Sequence, residues 1–171
     1  MKDLLTTVAS AEELNRAWND VLNRGEPSEQ LSEPIARFAT DAETNLEILR
    51  AELLDNTFHP APLHEVLIPK SDGGFRQLAV PKVRDRIVER ALLATITPHI
   101  DPLLGAGSFA YRPGLGVADA VQAVIRLREE GLRWVLRADI HDCFGTIPRE
   151  RAVRLAQAAL PDRTLDHPLG N

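Results

Sequence analysis

An α+β fold, with helices first and a β-hairpin and a single strand after them, follows from three features of the sequence. Apolar side chains recur at helical spacing behind capping signals in the first sixty residues, the period changes to two around a glycine-rich turn near residue 72, and Trp134 to Ile140 is short and almost wholly apolar. In the first region, Ser10-Ala11-Glu12-Glu13 has the form of a capping box, followed by a stripe of Leu14, Ala17, Trp18, Val21 and Leu22 that ends at Gly25. A polar stretch broken by Pro27 and Pro34 leads to a second box at Thr40 to Glu43 and a helix with Leu46, Leu49, Leu53 and Leu54 along one side. Val66 and Ile68, then Ser71-Asp72-Gly73-Gly74, then Phe75 to Val80 predict a hairpin. A helix over Val83 to Ile100 carries Arg84, Arg86 and Arg90 among its apolar groups. Gly105, Gly107, Pro113, Gly114 and Gly116 mark an irregular loop, and Val117, Ala120, Val121, Val124 and Leu127 restore helical periodicity up to Gly131. The run Trp134–Ile140 then predicts a buried strand that leaves the Asp139 carboxylate near its C-terminal end, and Pro148 opens a last helix with Val153, Ala156 and Leu160 inward.

Composition narrows the class. The 171 residues are 44% apolar, enough for one domain with a core or for part of a larger one. No long apolar run and no signal-like leader is present, so the expectation is a cytoplasmic protein without a membrane span. Cys143 is the one cysteine, which excludes an internal disulfide and a thiolate zinc cage. The five histidines show no metal-ligand spacing. A net charge of -5 argues at first against nucleic acid, but it is unevenly spread. Residues 1–60 hold 12 acidic and 5 basic side chains, so the rest of the chain is net positive. Within residues 70–90 six basic groups stand against three acidic ones, a local basic patch of a kind that is more often a solvated face than a phosphate contact.

Three segments in order resemble the reverse transcriptase family, in particular its bacterial branch related to group II intron enzymes. The first runs from Asn56-Thr57-Phe58-His59-Pro60 through Ile68-Pro69-Lys70-Ser71-Asp72-Gly73-Gly74-Phe75-Arg76-Gln77 to Arg84-Asp85-Arg86-Ile87-Val88. The second is Ser108-Phe109-Ala110-Tyr111-Arg112-Pro113-Gly114 with Asp119-Ala120-Val121, and the third is Arg137-Ala138-Asp139-Ile140-His141-Asp142-Cys143-Phe144. Their order and spacing make the resemblance specific over roughly residues 53–155. It implies the fingers and partial palm of a right-hand polymerase: an N-terminal helical region at 1–60, fingers at 61–131, and the start of a palm at 132–171. A receiver-type fold, which an aspartate at a strand end also suggests, is disfavoured by the initial helices and hairpin.

The same resemblance assigns roles. In such an enzyme a primer 3′-hydroxyl attacks the α-phosphate of a dNTP on an RNA template, with Mg2+ ions held by carboxylates. Asp139 matches the first metal ligand, with the backbone carbonyl of Ile140 beside it, since magnesium prefers oxygen donors; the plain alternative is an aspartate capping a turn. Lys70 and Arg76 match residues that close on the incoming triphosphate, and Asp142, Cys143 and Phe144 match the nucleotide pocket, with Phe144 as a gate against the 2′-hydroxyl. Arg84, Arg86, Arg90 and Arg112 match contacts to the template or to a DNA or RNA primer.

The family completes its metal site with a hairpin bearing two adjacent aspartates, followed by a thumb. No Asp-Asp pair occurs in these 171 residues, so the expectation is a truncated segment, inactive by itself. The stretches Tyr111–Val117 and Arg137–Phe144 resemble reverse transcriptases of CRISPR adaptation, which implies a CRISPR integrase domain or subunit as partner. The alternatives are an intron maturase and a non-catalytic remnant that binds nucleic acid or a protein.

Overall fold

The computed structural model describes residues 3–23, 32–69, 71 and 73–170, the side chain of Phe144 excepted. It is mostly helical, with one two-stranded antiparallel hairpin. Two compact units are present, residues 1–96 with 161–171, and residues 97–160.

The first unit holds the core. Helices α1 (Leu4–Val8), α2 (Ala11–Asn23), α3 (Glu33–Ala39) and α4 (Ala42–Leu54) pack on one another. Leu14, Ala17, Trp18 and Val21 of α2 are buried, as are Leu46, Leu49 and Leu53 of α4, so most of each predicted stripe is core, with Leu22 half-buried and Leu54 exposed at the edges. The Ser10 hydroxyl accepts the Glu13 N–H at 3.2 Å, the first half of the expected capping box. The second box does not form. Thr40 instead closes α3, its N–H and its hydroxyl both donating to the Ala36 carbonyl, and a hydroxyl engaged backwards cannot cap the helix ahead. Pro34, read as a breaker, sits in the first turn of α3, where its missing N–H costs nothing.

Helix α1 is too short for periodicity to reveal. Its exposed backbone donors are taken from far along the chain: the Leu4 N–H donates to Asp162 at 3.1 Å and the Leu5 N–H to the Thr164 hydroxyl at 3.0 Å. Leu165 is fully buried beside them in the same unit, so the segment after residue 160, which carries α9 (Asp166–Gly170), is part of the first unit's core.

Strands β1 (His64–Pro69) and β2 (Phe75–Val80) pair from His64 with Val80 to Pro69 with Phe75, as expected, and Gly73 in the turn takes φ +86°, which suits glycine. Every residue of both strands is exposed, so the hairpin is a free ribbon. Helix α5 (Val83–Ile100) buries Val83, Ile87, Val88 and Ala91 in its first half. Near its end Pro98 removes a helical hydrogen bond, close to the boundary between the units.

The second unit contains α6 (Val117–Glu129), α7 (Cys143–Thr146) and α8 (Arg149–Ala159). The first and last of these are the helices the sequence predicts. Among its described residues no apolar side chain is buried: Val121, Val124 and Leu127 of α6 are all exposed. The buried strand expected at Trp134–Ile140, the first palm strand, is absent. Residues 132–140 are irregular, with Trp134 97% and Leu136 91% exposed. A strand needs a neighbour to take its backbone hydrogen bonds, and among the described residues the only ladder joins β1 and β2. Among the described residues no helix is long and apolar enough to cross a membrane.

Candidate active site

In the first unit, the hairpin is anchored at its entry. Arg84, at the start of α5, pairs with Glu52 of α4 and lies 5.3 Å above the Phe58 ring. Its neighbour Asp85 is 3% exposed and accepts the Ala61 N–H at 3.1 Å, with its other oxygen 3.7 Å from the Arg84 Nε. A buried carboxylate is stable only with partners of this kind. Together these contacts tie the linker after α4 to α5 and set where the ribbon leaves the fold. Arg84 is thereby engaged inside the protein, whereas Arg86 and Arg90 are half-buried on the same helix. One turn on, burial pushes the Glu89 carboxyl above its usual range and the nearby Asp85 charge adds to it.

Arg76 lies opposite Ile68 on β2 and is exposed. Lys70, expected to act with it, lies outside the described residues.

In the second unit, Arg112 organises the loop before α6. Its guanidinium forms a two-pronged pair with Asp101, at 2.8 and 3.0 Å, and donates to the carbonyls of Asp101, Ser108 and Gly105. With only 15% of its side chain exposed, it holds the loop from within. Tyr111, next to it, has φ +59° and is fully exposed, a backbone state a tyrosine keeps only when its surroundings enforce it. The hydrogen bond from Arg112 holds the Asp101 carboxyl below its ordinary value of 3.8. A depressed carboxylate stabilises the fold above its ordinary pKa and loses that contribution as pH falls through the lowered one. Amide resonances of Gly105, Gly107 and Gly114 should therefore hold steady from pH 7 to 5 and shift together only below the ordinary carboxylate range. The Arg112→Lys variant should lose that acid transition.

Asp139 is exposed, and one of its oxygens accepts the Ile140 N–H at 3.0 Å. Three residues on, Asp142 adopts the left-handed conformation (φ +47°) and caps α7, its carbonyl accepting both the N–H and the hydroxyl of Thr146. The Asp142 carboxylate lies over Gly145 so closely that a Cβ there would collide with it. The lack of a Cβ at Gly145 is what lets that carboxylate stand there, a role that no local pattern in the sequence marks. Cys143 is half-buried and free.

The donors at Asp139 are of the kind magnesium takes: a carboxylate oxygen with no partner among the described residues and the Ile140 carbonyl, both hard oxygens. They do not make a metal site by themselves, and among the described residues no group of three or more His, Cys, Asp or Glu side chains gathers around a common point.

Comparison with known proteins gives the context. Residues 68–164 match the family model described as reverse transcriptase (RNA-dependent DNA polymerase). Protein YkfC of Escherichia coli K12 is 35% identical over 121 residues, which cover 68% of this chain and 32% of YkfC. An uncharacterized 91 kDa protein in the cob intron of Schizosaccharomyces pombe is 28% identical over 111 residues, 65% of this chain and 14% of its own length. The chain therefore spans a third or less of these relatives. Among solved structures, a chain of a partial Cas6-RT-Cas1–Cas2 complex superposes with a TM-score of 0.55 at 19% identity, covering 98% of this chain and 28% of that one, a likeness of fold.

Proposed function

The chain belongs to the reverse transcriptase (RNA-dependent DNA polymerase) family, and on that premise we propose that it supplies the fingers hairpin and the first metal-binding carboxylate of an enzyme that copies RNA into DNA. The observation that carries this reading is the family match from residue 68 to residue 164, a range that spans Arg76, Arg112 and Asp139. The whole reaction belongs to a longer polypeptide of the kind its relatives represent.

In that enzyme Asp139 and the Ile140 carbonyl hold Mg2+, which when bound offsets the charge that develops on the attacking and leaving oxygens. The protein's own work is positioning. The exposed ribbon carries Lys70 and Arg76 to the triphosphate, where an arginine fork and a lysine point charge both match phosphate oxygens. Asp142, Cys143 and Phe144 form the floor under the sugar. Arg86 and Arg90 face the backbone of the template or primer, and Arg112 and Arg84 act from inside the fold by holding the loop and the hairpin that touch them.

Two measurements test these placements in a full-length polymerase carrying this sequence. Arg76→Ala and Lys70→Ala should each raise the KM for dNTP about tenfold, the size of one charge-assisted contact of about 1.5 kcal/mol. Primer–template affinity should change little, and a loss of that affinity with normal dNTP use would make the hairpin a template contact instead. Phe144→Ala should raise ribonucleotide incorporation relative to deoxynucleotide incorporation. A ring filling the space of a 2′-hydroxyl forces a ribonucleotide to shift its α-phosphate, and small displacements of reacting atoms are costly in rate. A folded variant with an unchanged ratio would leave Phe144 as packing only.

The biological setting we propose is spacer acquisition in CRISPR adaptation, in the cytoplasm and beside a CRISPR integrase. It is supported by the form of Tyr111–Val117 and Arg137–Phe144, and by a fold neighbour from a complex that bears the Cas1 and Cas2 names. The intron-encoded relatives favour a second reading, an intron maturase with reverse transcriptase activity. Genes adjacent to this one separate the two: integrase genes fit the first, intron ends the second.

A further inference from the structure

Within the first unit, away from the hairpin tip, a cavity of about 700 Å³ opens between α3, α4, the base of the hairpin and the start of α5. Cavities of roughly 300–1,000 Å³ are of the size that takes small ligands such as a single nucleotide. Its walls are chiefly apolar, formed by Phe38, Ile48, Leu49, Val80 and Pro81. Phe38 packs one way on Trp18, with ring centroids 4.9 Å apart, and lines the cavity as well. Asn45 also lines it, donating its side-chain N–H to the Phe38 carbonyl at 3.1 Å.

The charges at the edge have one sign left over. Arg37 is paired with Glu33, which is the one carboxylate among the described lining residues, and Arg84 is paired with Glu52. Lys82 and Arg86 line the same edge and form no close ion pair among the described residues, the nearby Glu89 carboxylate acting on Arg86 only through its charge. The Lys82 carbonyl accepts the Arg86 N–H at 3.0 Å, so the two residues are one helical turn apart, at the separation where side chains share a face.

We propose that this cavity takes one unpaired nucleotide of a single-stranded nucleic acid, its base against Phe38 and the apolar wall and its two flanking phosphates on Lys82 and Arg86. The site rests on the reading of the chain as a nucleic-acid-binding segment and adds a contact separate from the hairpin. Two cations four residues apart, one just before α5 and one in its first turn, match phosphates on either side of a base better than the bunched charge of a free triphosphate. An aromatic ring in an apolar wall serves any base by stacking, without selecting sequence.

The test is fluorescence anisotropy with the 171-residue chain, a labelled ten-nucleotide oligouridine RNA and the same backbone with every base removed. Phe38→Leu, which keeps apolar volume, should weaken binding of the RNA about fivefold or more, the lower range for loss of a stacked base. The same variant should bind the abasic strand as the parent does, because the contact it removes is already gone. Lys82→Ala and Arg86→Ala should each flatten the salt dependence by about one phosphate's share, roughly 0.7 in the slope of log affinity against log salt. Thermal melts of each variant check that it folds. Binding of RNA that needs Arg76 and is indifferent to Phe38, Lys82 and Arg86 would overturn the cavity site and leave the nucleic-acid reading standing. Absence of binding to any strand would overturn both. Displacement of the RNA by free dTTP in a Phe38-dependent manner would overturn the assignment to a strand.

Discussion

Replacing Asp139 by Asn in a full-length polymerase that carries this sequence should lower DNA synthesis by about a thousandfold or more, while primer–template affinity stays nearly unchanged. The size follows from what the carboxylate does. Preorganised charge aimed at the reacting oxygens is usually the largest single contribution to catalysis, and even one neutral donor of that kind is worth about a hundredfold to a thousandfold. A metal ligand contributes more, because its loss displaces the ion that offsets charge on both the attacking and leaving oxygens. Asn keeps the shape and removes the charge. Asp139 is exposed and is bonded, among the described residues, only to its own neighbour's N–H, so the change removes no packing contact. Single-turnover extension and filter binding, run side by side, separate the two effects. Near-normal synthesis by the variant would move the metal site elsewhere.

The second large effect is an absence. The 171-residue chain by itself should give no primer extension on an RNA template at any magnesium concentration. One carboxylate and one carbonyl fill only part of an octahedral shell, and the sequence has no adjacent pair of aspartates to complete a two-ion site. The second unit also buries no apolar side chain among its described residues, so nothing in it holds Asp139 to the tolerance that in-line displacement requires. Extension that persists in purified chain and disappears with Asp139→Asn would contradict this directly.

Much of the fold could be read from the residues because local signals and packing agree there. The stripes of α2, α4 and the first half of α5 predicted helices, and most of the same residues are the core. The hairpin was legible from its period and its glycines, and its turn takes the conformation that only glycine adopts freely. The expectation at Trp134–Ile140 failed for a different reason. An apolar run states that burial is favourable, but only a neighbouring strand can supply it, and the described residues contain none. Helix α1 was hidden because it is only five residues long and, beside its local Asp3 cap, is held by Asp162 and Thr164, more than 150 residues away.

The candidate site was legible by residue type and less so by role. The resemblance matches Arg84 and Arg112 to template or primer contacts, and the structure gives each a carboxylate partner inside its own unit. Their carboxylate partners, Glu52 and Asp101, stand 32 and 11 residues away and form no local pattern. Asp85, one of the three acidic groups among residues 70–90, is the buried anchor of the linker into the hairpin. Gly145 and Tyr111 owe their significance to backbone angles and close approach, which a single sequence does not display.

The most direct measurement is DNA synthesis by a full-length polymerase carrying this sequence, given a DNA primer annealed to RNA, dNTPs and Mg2+. The account predicts a DNA product whose length follows the RNA template, which disappears when the template is destroyed by ribonuclease beforehand and when Asp139 is Asn. A well-folded full-length protein that binds the same primer and template but makes no DNA, or that extends only on DNA templates, would contradict it.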